Sequence, residues 1–212
     1  VYHIDELGVI YDETGSVILL EDVPESELVR FAQTDPQHFG LIYQRFVRRI
    51  YNYVYYRTGN AHDAEDLTAR AFIRAMNHMP FYKDRGTPFS AWLYRIAHNL
   101  MANWHRDNSR RQIMSLEAHH GHPAQQADPE SMAETREEQE QLLQAIRTLP
   151  DERQQLLILK FVEKLSNAEI GAIMGRTEGA VKSLYHRTLL TLREQMIQNE
   201  TVVQLLAEET KN

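Results

Sequence analysis

The sequence contains no cysteine, so neither a disulfide framework nor a thiolate metal site can form, in keeping with a reducing cytosol. No apolar run approaches the roughly 18 residues of a membrane span, and the opening stretch VYHIDELG has no basic signal region. A soluble, cytoplasmic protein is therefore expected. What is present is a chain of 212 residues with 42% hydrophobic content, long enough for one or two domains with real cores. Its formal net charge of -7 argues at first sight against a polyanionic partner, but the charge is unevenly spread. Residues 1–36 carry nine acids and one base, and residues 116–140 carry seven acids and one base. Residues 37–115, in contrast, carry twelve bases and five acids, and residues 141–197 carry eight and six. Phosphate attraction is governed locally, over a Debye length of about 8 Å, so two basic modules set in acidic connections remain compatible with nucleic acid.

The stretch from Thr87 to Asp107, TPFSAWLYRIAHNLMANWHRD, predicts one helix with two different faces. Thr87 suits the cap and Pro88 the first turn, where a missing N–H costs nothing. Phe89, Trp92, Leu93, Ile96, Ala97, Leu100, Met101 and Trp104 recur at three- and four-residue steps and form the buried stripe. Arg95, His98, Asn99, Asn103 and Arg106 project from the other side, followed by Arg110 and Arg111. Such a helix is a rod of about 30 Å, long enough to lie along a nucleic-acid backbone. An amide such as Asn99 offers both a donor and an acceptor to the edge of an unstacked base. Taken alone, it also fits an ordinary solvated helix position.

Upstream, Asp35-Pro36 reads as a cap and first-turn proline. It opens a helix FGLIYQRFVRRIYNYVYYRTGN with Phe39, Ile42, Phe46, Ile50, Tyr53 and Val54 inward, Arg45, Arg48 and Arg49 outward, and Gly59-Asn60 at its end. A second helix, Asp63 to Met79, begins with Asp63, Glu65 and Asp66, which favour the helix dipole. PFYKDRGT (80–87) is a loop punctuated by proline and glycine. Ahead of these lie residues 1–34, where two β-branched runs around Glu13-Thr14-Gly15 suggest a hairpin in an acidic arm. That arm either packs on the basic module or on a partner, or remains a tail.

Residues 115–139 break the helical pattern. With Pro123, Pro129, Gly121 and little apolar content they read as a linker. His119, His120 and His122 lie close together there, but no rigid scaffold or second shell accompanies them, so no metal site and no cofactor is expected. After it, QLLQAIRTLP and ERQQLLILKFVEKL give two amphipathic helices separated by Pro150. The segment LSNAEIGAIMGRTEGAVKSLYHRTLLTLRE is a helix-turn-helix. Ser166 and Glu169 form a capping box, Gly171 sits where the helices cross, Gly175 lies in the turn and Thr177 caps the second helix. The core side of that helix is Val181, Tyr185, Thr188 or Leu189, and Leu192, which leaves Lys182, Ser183, His186 and Arg187 outward.

WLYRIAHN, preceded by DAEDL and followed after a linker by this helix-turn-helix, resembles the extracytoplasmic-function (group IV) sigma factors of bacterial RNA polymerase. The resemblance implies an all-α chain of two helical domains, a sigma region 2 bundle and a sigma region 4 helix-turn-helix, joined by a flexible acidic linker. It places a 1–34 extension, region 2 at 35–113, the linker at 114–139, region 4 at 140–198 and a tail at 199–212. It further implies that Asn99 lines a pocket for a base flipped from the minus-10 strand. Arg95, His98, Asn103, Arg106, Tyr82 and Lys83, with Arg85 beside them, would complete that surface. Arg176, Thr177, Lys182, Ser183, His186 and Arg187 would meet the minus-35 duplex.

Asp63, Glu65, Asp66, Phe72 and Arg74 would meet core RNA polymerase at the clamp helices of its largest subunit, with the β-subunit flap a further contact. An anti-sigma protein is another implied partner, and no catalytic residue is implied. Asp128, Glu130, Glu134, Glu137 and Glu138 would let the linker mimic nucleic-acid charge in the polymerase cleft. Two departures stand out. Ala69-Arg70 occupies positions where relatives carry Gln and an acid, and Leu184 replaces a common Arg, removing a phosphate or base contact. Two other readings are weaker. A helix-turn-helix regulator that never enters polymerase leaves DAEDL and WLYRIAHN idle, and a metal hydrolase built on the histidine cluster lacks an ordered nucleophile or base.

Overall fold

The computed structural model describes residues 2–5, 8–114 and 145–209, and the chain divides into two compact units. Beyond Met114, the expected linker lies outside the described residues, including its acidic side chains and His119, His120 and His122. Among the described residues, no helix is long and apolar enough to cross a membrane.

The N-terminal unit is a four-helix bundle. Helix α1 spans Glu25–Thr34, α2 Phe39–Thr58, α3 Ala61–His78 and α4 Phe89–Met114, with 3-10 turns at Pro36–His38 and Met79–Phe81. Local chemistry sets most of the ends. The Asp35 carboxylate accepts the Gln37 amide at 2.9 Å, Gly59 closes α2 in the left-handed region at φ 68°, and Asn60 accepts the Asp63 amide at 3.1 Å to start α3. Helix α4 begins differently. Its Ser90 amide is taken by Glu25 Oε2 at 2.8 Å, a long-range cap from α1 beyond the expected Thr87.

Ile42, Ile50, Tyr53, Val54, Leu67, Leu93, Tyr94 and Met101 are sealed from solvent, and each such apolar side chain contributes roughly 1.5–3 kcal/mol by leaving water. The Tyr53 and Tyr94 rings meet edge to face at 5.2 Å. Tyr94 falls outside the periodic stripe read from the sequence, because α4 packs against α1, α2 and α3 together and so buries a wider arc than one neighbour would.

A small antiparallel sheet precedes the bundle, with β1 at His3–Ile4, β2 at Ile10–Tyr11 and β3 at Val17–Ile18 in that order. The expected hairpin is its β2–β3 half, with Ile10 opposite Ile18 and Tyr11 opposite Val17. Asp12 Oδ1 holds the turn by accepting the amides of Thr14 at 2.8 Å and Ser16 at 3.0 Å, and Gly15 supplies the positive φ. Two arginines fasten this segment to the helices. Arg45 Nη1 donates to the carbonyls of Leu20 and Val23, and Arg30 Nη2 donates to the Tyr2 carbonyl at 2.8 Å. Arg45, expected outward, is thus partly buried under the arm, while Arg49 lies over the Phe46 and Tyr94 rings and only Arg48 is fully exposed. Helix α1 itself, which periodicity did not single out, buries Leu28, Val29, Phe31 and Ala32.

In the C-terminal unit, residues 145–148 are helical and α5 spans Asp151–Leu157, continuing through a π turn at Ile158–Val162. Helix α6 spans Asn167–Met174 and α7 Glu178–Glu209, so α7 continues through residues assigned from sequence to a tail. Leu156, Leu157, Leu159, Ile170, Val181 and Thr188 are buried.

Candidate nucleic-acid interface

On α4, Arg95, Asn99, Asn103 and Arg106 are all exposed. Their spacing of four, four and three residues places them on one face, a strip about 16 Å long at 1.5 Å per residue. Arg106 Nη2 donates to Asn103 Oδ1 at 2.8 Å, so guanidinium and amide already hold one another along the strip. The strip presents amide donors and acceptors between two fixed positive charges, which is what a base edge next to phosphates requires.

His98 lies behind this face rather than on it. It is half-buried, and its Nδ1 lies 3.0 Å from Arg57 Nη1 and 3.3 Å from Tyr53 Oη. A guanidinium can only donate, so Nδ1 is the unprotonated acceptor and the ring is neutral. Burial, reinforced by the Arg57 and His105 charges, pushes the His98 imidazole down to about 4. Arg57 is itself buried and donates to Tyr53 Oη at 2.8 Å. Burial, and then Arg57, also lowers His105. The strip therefore rests on a buried network in which arginine carries the charge and histidine does not.

The loop before α4 adds the second wall. Tyr82 is half-buried, its ring 5.3 Å from Phe89 and 5.0 Å from Trp92, while Lys83 and Arg85 are exposed. Burial raises the Tyr82 phenol, Asp84 and Glu25 add to the rise, and nearby Arg95 opposes it. Arg95 thus brings the α4 strip and the loop into one electrostatic neighbourhood. Trp92, half-buried with Phe89 at 5.3 Å, is part of the packing beneath the loop.

The expected polymerase residues divide. Glu65, Asp66 and Arg74 are exposed on α3, and Asp66 is paired with Arg70 at 3.3 Å, so the departure at position 70 partly neutralises an acid of its own helix. Asp63 is turned toward α4, where Oδ1 accepts from Trp104 Nε1 at 3.3 Å. Phe72 is only 4% exposed, its ring 5.0 Å from Tyr43. It is therefore mostly buried, while still lining the surface between α2 and α3. With Tyr43, Ile73 and Met76 it lines an apolar groove of about 710 Å³ between α2 and α3. Ile73 is 54% and Met76 45% exposed. Sequence reasoning passed over both, although apolar residues on the charged side of an amphipathic helix are the signal that marks such a surface.

In the second unit the helix-turn-helix is assembled from local interactions. Ser166 Oγ accepts the Glu169 amide at 3.2 Å while Glu169 Oε2 accepts the Ser166 amide at 2.8 Å, the expected capping box. A Cβ on Gly171 would meet the Arg176 carbonyl oxygen at 2.6 Å, and Gly175 takes φ 66°. Thr177 Oγ1 accepts the Ala180 amide at 3.2 Å to start α7. Arg176, Thr177, Lys182, Ser183, His186 and Arg187 are all exposed. Lys182 Nζ bonds Glu178 Oε1 at 2.8 Å, Arg176 pairs with Glu152, and Arg187 Nε donates to the Ser183 carbonyl at 3.3 Å. Leu184 is 6% exposed, so it belongs to the core. The inference that leucine there removes a DNA contact is corrected: side chains at this register point inward. Of the alternatives Thr188 and Leu189, Thr188 is the buried one.

Two features thus define a class: a bundle that displays an amide-and-arginine strip on one helix, and a helix-turn-helix in the same chain. Comparison with known proteins agrees. The Sigma-70 region 2 family model matches residues 42–111, and the Sigma-70 region 4 model matches residues 139–192. The chain is 34% identical over 168 residues to the ECF RNA polymerase sigma factor BldN of Streptomyces coelicolor, covering 78% of this chain and 63% of that one. It is 30% identical over 185 residues to the ECF RNA polymerase sigma factor SigW of Bacillus subtilis, covering 84% and 98%. Among solved structures, CnrH in complex with the cytosolic domain of CnrY has the same fold, with a TM-score of 0.59 at 18% identity, covering 82% of this chain and 97% of that one. The sigma factor RpoE of Bartonella quintana, solved with the anti-sigma factor NepR, gives 0.54 at 21%, covering 74% and 96%. The chain belongs to the extracytoplasmic-function group of the sigma-70 family.

Proposed function

We propose that this protein binds core RNA polymerase and directs it to promoters, the first unit melting and trapping the minus-10 strand and the second holding the minus-35 duplex. In this reading region 2 occupies 35–113 and region 4 140–198, with 114–139 as the tether, 1–34 as an extension and 199–212 as the tail. Asn99 and Asn103 read the extruded base, Arg95, Arg106, Lys83 and Arg85 hold the backbone, and Tyr82 with His98 supports them from behind. Arg176, Thr177, Lys182, Ser183, His186 and Arg187 meet the second element. Glu65, Asp66 and Arg74 beside the α2–α3 groove meet the polymerase clamp helices, with Asp63 and Phe72 shaping that face from within, while region 4 engages the β flap. An anti-sigma protein is a further partner, as NepR is for the Bartonella quintana factor. The protein acts in the cytoplasm, where the nucleoid and polymerase are, and catalyses no covalent step. Melting is driven by differential binding, since capture of a single-stranded base offsets the few kcal/mol of unpairing.

The observation that carries this reading is the exposed strip Arg95–Asn99–Asn103–Arg106 in the same chain as a complete helix-turn-helix. The test is in vitro transcription with purified core polymerase and a promoter library, which should yield defined start sites. Asn99→Ala should slow open-complex formation by tens-fold, the scale of about 1–3 kcal/mol for a lost base contact, while closed-complex binding changes little. Equal effects on both steps would refute the role given to Asn99, and the absence of any defined start site would refute the function.

A further inference from the structure

Helix α1 and the loop before α4 are joined at both ends of that loop. At the near end, Gln33 Nε2 donates to the carbonyls of Met79 at 3.1 Å and Tyr82 at 2.9 Å, clasping the 3-10 turn across 46 and 49 residues of sequence. The Tyr82 amide also donates to Met79 at 3.1 Å, so one carbonyl receives both the turn's own bond and the bond from α1. At the far end, Glu25 Oε2 takes the Ser90 amide. Between these ties the loop carries its own Asx bond, the Gly86 amide donating to Asp84 Oδ1 at 2.8 Å, with Gly86 at φ 72° and the Tyr82 ring against Phe89 and Trp92. A cleft of about 410 Å³ separates α1 from the loop, lined among others by Val29, Gln33, Asp84 and Thr87. The loop is thus tied to α1 at its two ends, with the cleft lying between α1 and its middle.

We propose that α1 is the brace of the promoter-reading loop, with Gln33 and Glu25 as positioning residues that present Lys83 and Arg85 beside the Asn99 strip in one conformation. This rests on the sigma-factor reading. The chemistry is directional. Two backbone carbonyls facing one side chain require a donor with two hydrogens, which a carboxamide nitrogen supplies and a carboxylate does not. A loop ordered before binding does not have to be ordered during it, so the brace acts on promoter discrimination more than on attraction to phosphate.

The test compares the full-length chain with Gln33→Glu, Gln33→Leu and Gln33→Lys, the last retaining donors for the two carbonyls. Amide hydrogen exchange of Tyr82 and Gly86, whose amides donate to the Met79 carbonyl and to Asp84, is measured on the free protein. Discrimination is measured on the complex with core polymerase, as the ratio of affinities for a promoter selected by the wild-type complex and for the unselected library. The Glu and Leu variants should exchange the loop amides about tenfold faster, the scale expected for losing one or two hydrogen bonds, and should lose discrimination several-fold. Affinity for the unselected library should stay unchanged, and Gln33→Lys should stay near wild type in both readouts. Unchanged exchange in Gln33→Glu would overturn the brace. Faster exchange with undiminished discrimination would overturn its use in promoter reading while leaving the family reading intact. A wild-type complex that selects no promoter would overturn the family reading, and with it the purpose of the brace, whatever the exchange data show.

Discussion

The helix assigned to DNA in the first unit and the one in the second are prepared by opposite means. Helix α4 displays its strip because a large core and a buried Tyr53–Arg57–His98 network lie behind it, and because α1 fastens the loop at its start. Helix α7 depends on interactions within residues 166–180: a capping box, a glycine that admits the neighbouring backbone, a left-handed turn and a threonine cap. The difference follows the ligand each is proposed to meet. A duplex groove is a ready-made surface that a correctly angled helix can enter. An extruded base must be enclosed on several sides, which calls for groups from different parts of the chain.

This contrast can be broken in several places. The largest effect is expected from Gly171→Leu, because the added Cβ meets backbone at 2.6 Å rather than a side chain that can turn aside. It should destabilise the second unit by about 3 kcal/mol, read as loss of amide protection across residues 167–192 with protection across residues 39–101 unchanged. Equal loss in both would show that the helix-turn-helix does not stand on its own local interactions.

A pH series comes next. His98 is held at about 4 in the folded protein against 6.5 ordinarily, so the unfolded chain takes up the proton first as the pH falls. The stabilisation is complete above pH 6.5 and is lost as the pH drops toward 4, by about 1–3 kcal/mol, and His105 acts in the same direction. In the second unit, the hydrogen bond and charge of Lys182 hold the Glu178 carboxyl below its ordinary 4.5, so its contribution persists above that value and fades only as the pH falls through the lower folded value. Between pH 6.5 and 4.5, protection should therefore decline in the first unit, and His98→Gln should flatten the decline. A parallel decline in both units would dismiss the buried network as its cause. The smallest effect belongs to Lys182→Ala. Its ammonium is shared with Glu178, so duplex affinity should fall only a few-fold and evenly across sequences, with the salt slope reduced by about one. A sequence-dependent loss would instead mark Lys182 as a base reader.

What could be read in advance depended on how far apart the interacting residues lie. The helix-turn-helix was legible almost entirely, since Ser166 with Glu169, Gly171 with Arg176 and Thr177 with Ala180 are near neighbours in sequence. Even there, the resemblance led to the reading that Leu184 removes a DNA contact, whereas the packed side of α7 is wider than one stripe and buries Leu184. In the first unit the outward strip was legible from spacing, but its support was not. His98 has the same polar signature as Asn99, and only the position of Arg57, 41 residues earlier, turns it inward. Phe72, read as a contact, is mostly buried in the lining of a groove, while Ile73 and Met76 beside it form the exposed apolar rim. Arg45 looked like its neighbour Arg48 until the arm's carbonyls were found at its guanidinium.

The sequence by itself determined the two basic helical modules, the order in which they come and the residue types on each outward face, because charge, capping and 3.6-residue periodicity are written within a few turns of chain. Tertiary structure alone decided that α1 belongs to the bundle, that the loop before α4 is tied at both ends and that one histidine is kept neutral behind the strip. Those outcomes depend on partners 41 to 65 residues apart, whose pairing leaves no local pattern to read.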